Sequence, residues 1–110
     1  MEMAVNTTNG VSSLVLSGRF DAFETLAVSA WFEKNIRDGE AQVIVDLSGV
    51  NFLDSAALAT LVKGMKRCRE HKGDLVLCSL QQPVRIIFEL TRLDKAFKIF
   101  PDSTSASSAF

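Results

Sequence analysis

Two short segments, AQVIVDL at 41–47 and DLVLCSL at 74–80, carry apolar residues at consecutive positions. A strand with one face in water alternates apolar and polar residues, whereas a strand covered on both faces reads as a continuous apolar run. Both segments therefore read as buried strands of a parallel sheet. Parallel neighbours cannot be joined by a tight turn and need a crossover. The residues between them supply one. After a loop, SGVNFLD, residues Ala57, Leu58, Leu61, Val62, Met65 and Cys68 recur at spacings of three and four. That spacing marks the apolar face of a helix running to about His71, which Gly73 closes.

The flanking sequence extends this alternation. Residues 2–18 read as two strands around the turn Asn9-Gly10, with Gly18 ending the second. From Ala22 the pattern is helical, with Phe23, Leu26, Ala27, Ala30 and Trp31 on one face and Gly39 as a left-handed cap. Pro83 sits in the first turn of a helix marked by Val84, Ile87, Phe88 and Thr91, which runs to about Leu93. AFKIF alternates as a last short strand. The serine-rich tail either frays or forms a short helix capped by Asp102 or Ser103. The order β-β-α-β-α-β-α-β, with that optional final helix, predicts an α/β sheet with helices on at least one face. A length of 110 residues suits a single domain.

Composition narrows the function. Twelve basic residues stand against thirteen acidic ones, and a net charge of −1 argues against bulk binding of nucleic acid or anionic membrane. No apolar run approaches the roughly 20 residues of a membrane helix, and no leader opens the chain. Cys68 and Cys78 lack CxxC spacing and fit reduced thiols in a cytoplasmic protein. Charge is uneven: −5 through residue 60 and +4 beyond it. Lys63, Lys66, Arg67, Arg69 and Lys72 cluster in one stretch, whose simplest reading is the solvated face of a helix.

Catalytic signatures are scarce. A nucleophilic serine needs a base within hydrogen-bond reach. The single histidine, His71, lies sixteen residues along the same predicted helix as Ser55, about 24 Å away at about 1.5 Å per residue. No GxSxG, GxxxxGK[ST], GxGxxG or HExxH occurs. Asp46 and Asp54 are eight residues apart around a strand end; the simpler roles are a loop bond for Asp46 and a helix cap for Asp54. Cys68 and Cys78 read as core, as do Trp31 and the phenylalanines, and His71 as a complement to a helix C-terminus. Ser55 reads as an exposed N-cap. A phosphoryl group on it would add about −1.5 to −2 charge beside backbone donors able to accept it.

VIVDLSGVNFLDSAALATLV resembles the signature of STAS domains, in particular the stand-alone bacterial anti-sigma factor antagonists. LSGRFDAF and GDLVLCSLQQPVRIIFELTRLDKAFKIF resemble further segments of that family, so the resemblance covers nearly the whole chain. It implies a STAS-like mixed sheet of four to five strands covered by helices, and a switch with no enzymatic activity and no cofactor or metal of its own. Such proteins bind a serine-kinase anti-sigma factor and so release sigma. Phosphorylation of the serine aligned with Ser55 ends that binding, and a metal-dependent serine phosphatase restores it. Asp21, Asp54, Ser55 and the turn Ala56, Ala57 and Leu58 match the surface that meets the kinase. Ala57 and Ala59 stand where the family has smaller residues, adding a methyl where a partner backbone approaches. The resemblance further implies a cytoplasmic protein, monomeric when free. The alternative within the same family is a regulatory subunit of a lipid or anion transporter complex.

Overall fold

The computed structural model describes residues 1–110. The chain runs β1 (Glu2–Thr8), β2 (Val11–Phe20), α1 (Thr25–Asn35), β3 (Gln42–Leu53), α2 (Ser55–Glu70), β4 (Asp74–Cys78), α3 (Gln82–Leu90), a 3-10 turn (Leu93–Lys95), β5 (Ile99–Phe100) and α4 (Ser103–Ser107). The sheet order is β1-β2-β3-β4-β5. β1 pairs antiparallel to β2, and every later pairing is parallel. The mixed α/β sheet and the element order are those expected.

Because the parallel strands follow one another in a single direction, their crossovers gather on one face. There α1, α2 and α3 bury Val28, Phe32, Leu61, Met65, Val84 and Phe88 against Leu14, Leu16, Val43, Val45, Leu75 and Leu77. The other face carries a small cluster, Ile44, Val76 and Cys78, closed by Ala106 of α4. Asp102 caps α4 by accepting from the Ser105 N–H at 2.7 Å, so the tail forms a helix. These two layers explain the continuous apolar runs of β3 and β4: both faces of each strand are covered.

Several local expectations are corrected. β2 continues past Gly18 to Phe20, and β3 continues through the expected loop to Leu53. Register shifts between Val15 and Ser17 and between Gly18 and Arg19 disrupt the alternation that would otherwise mark this second half of the ladder. In α1 the buried face is Val28 and Phe32, while Phe23 is 89% exposed and Leu26 is 78% exposed. The segment is apolar on two sides, so spacing alone admits both phases. Gly39 does adopt φ +82°, but in the tight turn bridging Arg37 and Glu40 and not as a helix cap. α1 ends earlier, where the Ile36 N–H donates to Phe32.

The basic stretch of α2 is more than a solvated face. Lys63, Lys66 and Lys72 are exposed. Arg67, by contrast, donates from Nε to the Ile36 carbonyl at 3.1 Å and from a second nitrogen to the Glu33 carbonyl at 3.1 Å. It thereby satisfies carbonyls that the end of α1 leaves unpaired. Arg69 pairs with Asp74 at 3.0 Å and donates to the Ala96 carbonyl at 2.9 Å. Gly73 follows α2 where the chain meets the start of β3: a Cβ there would lie 1.9 Å from the Ala41 carbonyl oxygen.

Candidate functional site

At the carboxyl ends of β2 and β3, two loops meet at one carboxylate. Asp54 has extended backbone and caps α2, its Oδ1 accepting from the Ala57 N–H at 2.9 Å. Its Oδ2 accepts from the Ala22 N–H at 3.0 Å, on the turn that enters α1. Its own N–H donates to the Phe20 carbonyl at 3.3 Å. One side chain thus satisfies a donor at the start of α2 and holds the neighbouring turn against it.

Ser55 is the first residue of α2 and not its cap, which corrects the expectation by one position. Both Asp54 and Ser55 are good capping residues, so composition alone does not choose between them. Ser55 is exposed, and its hydroxyl is not engaged by any hydrogen bond within the chain. Asp21 accepts from the Phe23 N–H at 3.1 Å and lies 3.5 Å from Arg19 Nε. The Arg19 guanidinium lies 3.7 Å from the centroid of the Phe52 ring, a cation–π contact on the same end of the sheet.

The expected surface residues divide by burial. Asp21, Asp54 and Ser55 are brought together with Ala56, whose carbonyl accepts from the Thr60 hydroxyl at 2.9 Å. Ala57 is fully buried and Leu58 nearly so, and both belong to the core. Their side chains face inward, and neither residue offers appreciable surface. The extra methyl of Ala57 therefore fills the interior and does not stand where a partner would approach, whereas Ala59 is exposed.

The other candidate groups lie elsewhere. His71 caps the far end of α2, its Nδ1 2.7 Å from Asp38 Oδ1. Asp46 accepts from the Ser48 N–H at 2.9 Å, the backbone bond expected of it, although Ser48 lies within β3 and not in a loop. No three His, Cys, Asp or Glu side chains converge as a metal site would require. Cys68 and Cys78 are buried and free, on opposite faces of the sheet. Burial pushes the Cys68 thiol up to about 12, with Asp74 adding to the rise. Burial raises Cys78 as well. The concavities lie away from Ser55; that of about 450 Å³ is lined by Asn9, Asp38, His71 and Lys72 at the opposite end of the sheet. Phe23 and Leu26, read from the sequence as core, instead stand in solvent beside Asp21 and Ala22.

Known proteins resemble this chain in sequence and in fold. BtrV of Bordetella bronchiseptica, assigned as an anti-sigma factor antagonist, is 26% identical over 110 residues, covering 100% of this chain and 95% of that protein. The crystal structure of an anti-sigma factor antagonist from Mycobacterium paratuberculosis superposes with a TM-score of 0.85 at 25% identity, covering 98% of this chain and 92% of the other. The Bacillus cell fate determinant SpoIIAA in its phosphorylated form superposes with a TM-score of 0.79 at 16% identity, covering 98% of each chain. The family described as the STAS domain matches residues 2–106, and with the sheet, the helices and the Asp54-Ser55 junction in place the chain belongs to that family.

Proposed function

We propose that this chain is an anti-sigma factor antagonist that works by partner switching, as a single STAS domain over residues 1–110 in the cytoplasm. Its unphosphorylated form binds a serine-kinase anti-sigma factor and so releases sigma. The kinase then modifies Ser55, binding ends, and a metal-dependent serine phosphatase restores the free hydroxyl. The observation that carries this reading is the exposed, unengaged hydroxyl of Ser55, held at the start of α2 by the Asp54 cap. SpoIIAA, of like fold, has been solved phosphorylated, which supports the same chemistry here.

The chemistry needs little of the chain itself. Ser55 Oγ attacks the γ-phosphorus of ATP held by the partner, the bond to the β-phosphate oxygen breaks, and the hydroxyl proton passes to a base of the kinase. Water later cleaves the phosphoserine in the phosphatase, returning serine and inorganic phosphate. The chain acts as a substrate and a ligand, with no catalysis of its own. A phosphoryl group brings about −1.5 to −2 charge next to Asp54. In a desolvated interface such a like-charge conflict costs several kcal/mol, roughly a hundred- to thousand-fold in affinity.

The test is incubation with the serine-kinase anti-sigma factor and magnesium ATP, followed by mapping of the modified residue. Modification is expected at Ser55 alone, and Ser55→Asp is expected to lose kinase binding with its thermal midpoint unchanged. Modification elsewhere, or recovery of a transporter ATPase in place of a kinase, overturns the reading.

A further inference from the structure

Phe23 and Leu26 are among the most exposed large apolar side chains of the chain, at 89% and 78%. Phe23 lies in the turn that enters α1 and Leu26 in the first turn of that helix, three positions on. Isolated exposed apolar residues are ordinary on a protein surface, but two so close in sequence, the first on a backbone fixed by hydrogen bonds, are a different object. The backbone here is fixed. The Phe23 N–H donates to Asp21 and the preceding Ala22 N–H donates to Asp54, the residue immediately before Ser55. The pair is therefore held beside the site by the same carboxylate that caps α2.

We infer that Phe23 and Leu26 form an apolar knob that anchors the protein partner, fitting an apolar socket rimmed by lysine or arginine. This deepens the functional reading above and rests on it. The rim of the knob selects the occupant. Asp21, Glu24 and Asp54 are the carboxylates around it, and two cations answer them within the chain: Arg19 at 3.5 Å from Asp21 and the N-terminal amine at 3.3 Å from Glu24. A second copy docking on the same patch would set these carboxylates against their own counterparts, because a two-fold interface pairs each patch with itself. An anionic lipid surface meets the same repulsion. A basic-rimmed protein socket is complementary in both respects. Aromatic anchors in such sockets carry a large share of binding free energy, the more so when they are held in place before association. The division of labour is then spatial: the knob supplies affinity, and Ser55 beside it supplies the switch.

The test measures binding of the serine-kinase anti-sigma factor by titration calorimetry to the wild-type chain, to Phe23→Ser with Leu26→Ser, to Phe23→Leu and to Ser55→Asp. The double variant is expected to bind about 30-fold more weakly or worse, the size of a hot-spot truncation. Its unfolding midpoint should be unchanged, because neither side chain is buried. Phe23→Leu should recover most of the affinity, and added salt should weaken the wild-type complex. Wild-type-like binding by the double variant overturns the knob and leaves the switch intact. Failure of the wild-type chain to bind the kinase at all removes both.

Discussion

Asp54 and Ala22 are 32 positions apart in the chain and 3.0 Å apart in space, joined by a bond from the Ala22 N–H to the Asp54 carboxylate. The second oxygen of that carboxylate caps α2 through Ala57. Asp54→Ala removes both bonds and should destabilise the fold by about 2 kcal/mol, a lost cap plus a lost charge-assisted bond. Asp54→Asn retains one carbonyl oxygen, which can keep the cap, so its loss should be about 1 kcal/mol. Urea unfolding of the two variants checks the order, and equal losses would contradict the double role.

Gly73 and Gly64 meet different neighbours. A Cβ at Gly73 falls 1.9 Å from the Ala41 carbonyl oxygen, which belongs to backbone, whereas one at Gly64 falls 2.5 Å from the Phe32 ring. Overpacking typically costs about 1–3 kcal/mol, and the helix preference for alanine over glycine returns about 1. Gly64→Ala should therefore lose about 1 kcal/mol and be rescued by Phe32→Leu. Gly73→Ala should lose about 3 kcal/mol or more, without a rescuing side chain. Chemical denaturation of the single and double variants separates the two cases.

Arg92 adopts φ +63° before the 3-10 turn, the left-handed region that disfavours a side chain. That conformation costs a non-glycine residue about 1–2 kcal/mol, part of which glycine gives back through its looser unfolded chain. Arg92→Gly should raise stability by about 0.5–1 kcal/mol, read as a higher urea midpoint at constant m-value. A lower midpoint would mean that the arginine side chain contributes more than its backbone loses.

The Cys68 thiol, pushed from an ordinary 9.0 to about 12, makes stability fall at high pH. Between those values the unfolded chain loses a proton that the folded chain keeps, so unfolding is increasingly favoured as pH rises through the window. Below pH 9 the contribution is fully present. Native protein should react with a thiol reagent only as fast as it opens. Unfolding midpoints from pH 8 to 11, compared between wild type and Cys68→Ala, isolate this contribution from other groups.

Much of this architecture was legible because local pattern and tertiary packing agree. The buried strands at Val43–Leu47 and Leu75–Leu77 and the face of α2 follow from periodicity, and Asp102 is one of the two caps that the tail's composition allowed. What stayed hidden depends on partners distant in sequence. The second half of β3 lies beyond a register shift, so Val50 and Leu53 point into the core without an unbroken alternation to announce them. The phase of α1 rests on which of two apolar faces meets the sheet. The roles of Arg67 and Arg69 depend on carbonyls at 33, 36 and 96 that no motif predicts. Family resemblance singled out Asp21, Asp54 and Ser55, which the fold places together at one end of the sheet, but the prominence of Phe23 was not legible.

The bonds at the two ends of α1 act together. Asp54 holds the turn before it and Arg67 holds its last carbonyls, and both of these residues belong to α2 or its cap. The two helices are therefore riveted at both ends and form one stiff plate with no hinge between them. A group added at Ser55 has no soft joint to drive, so any message it carries must be written in the surface itself, with the shape of the plate left as it was.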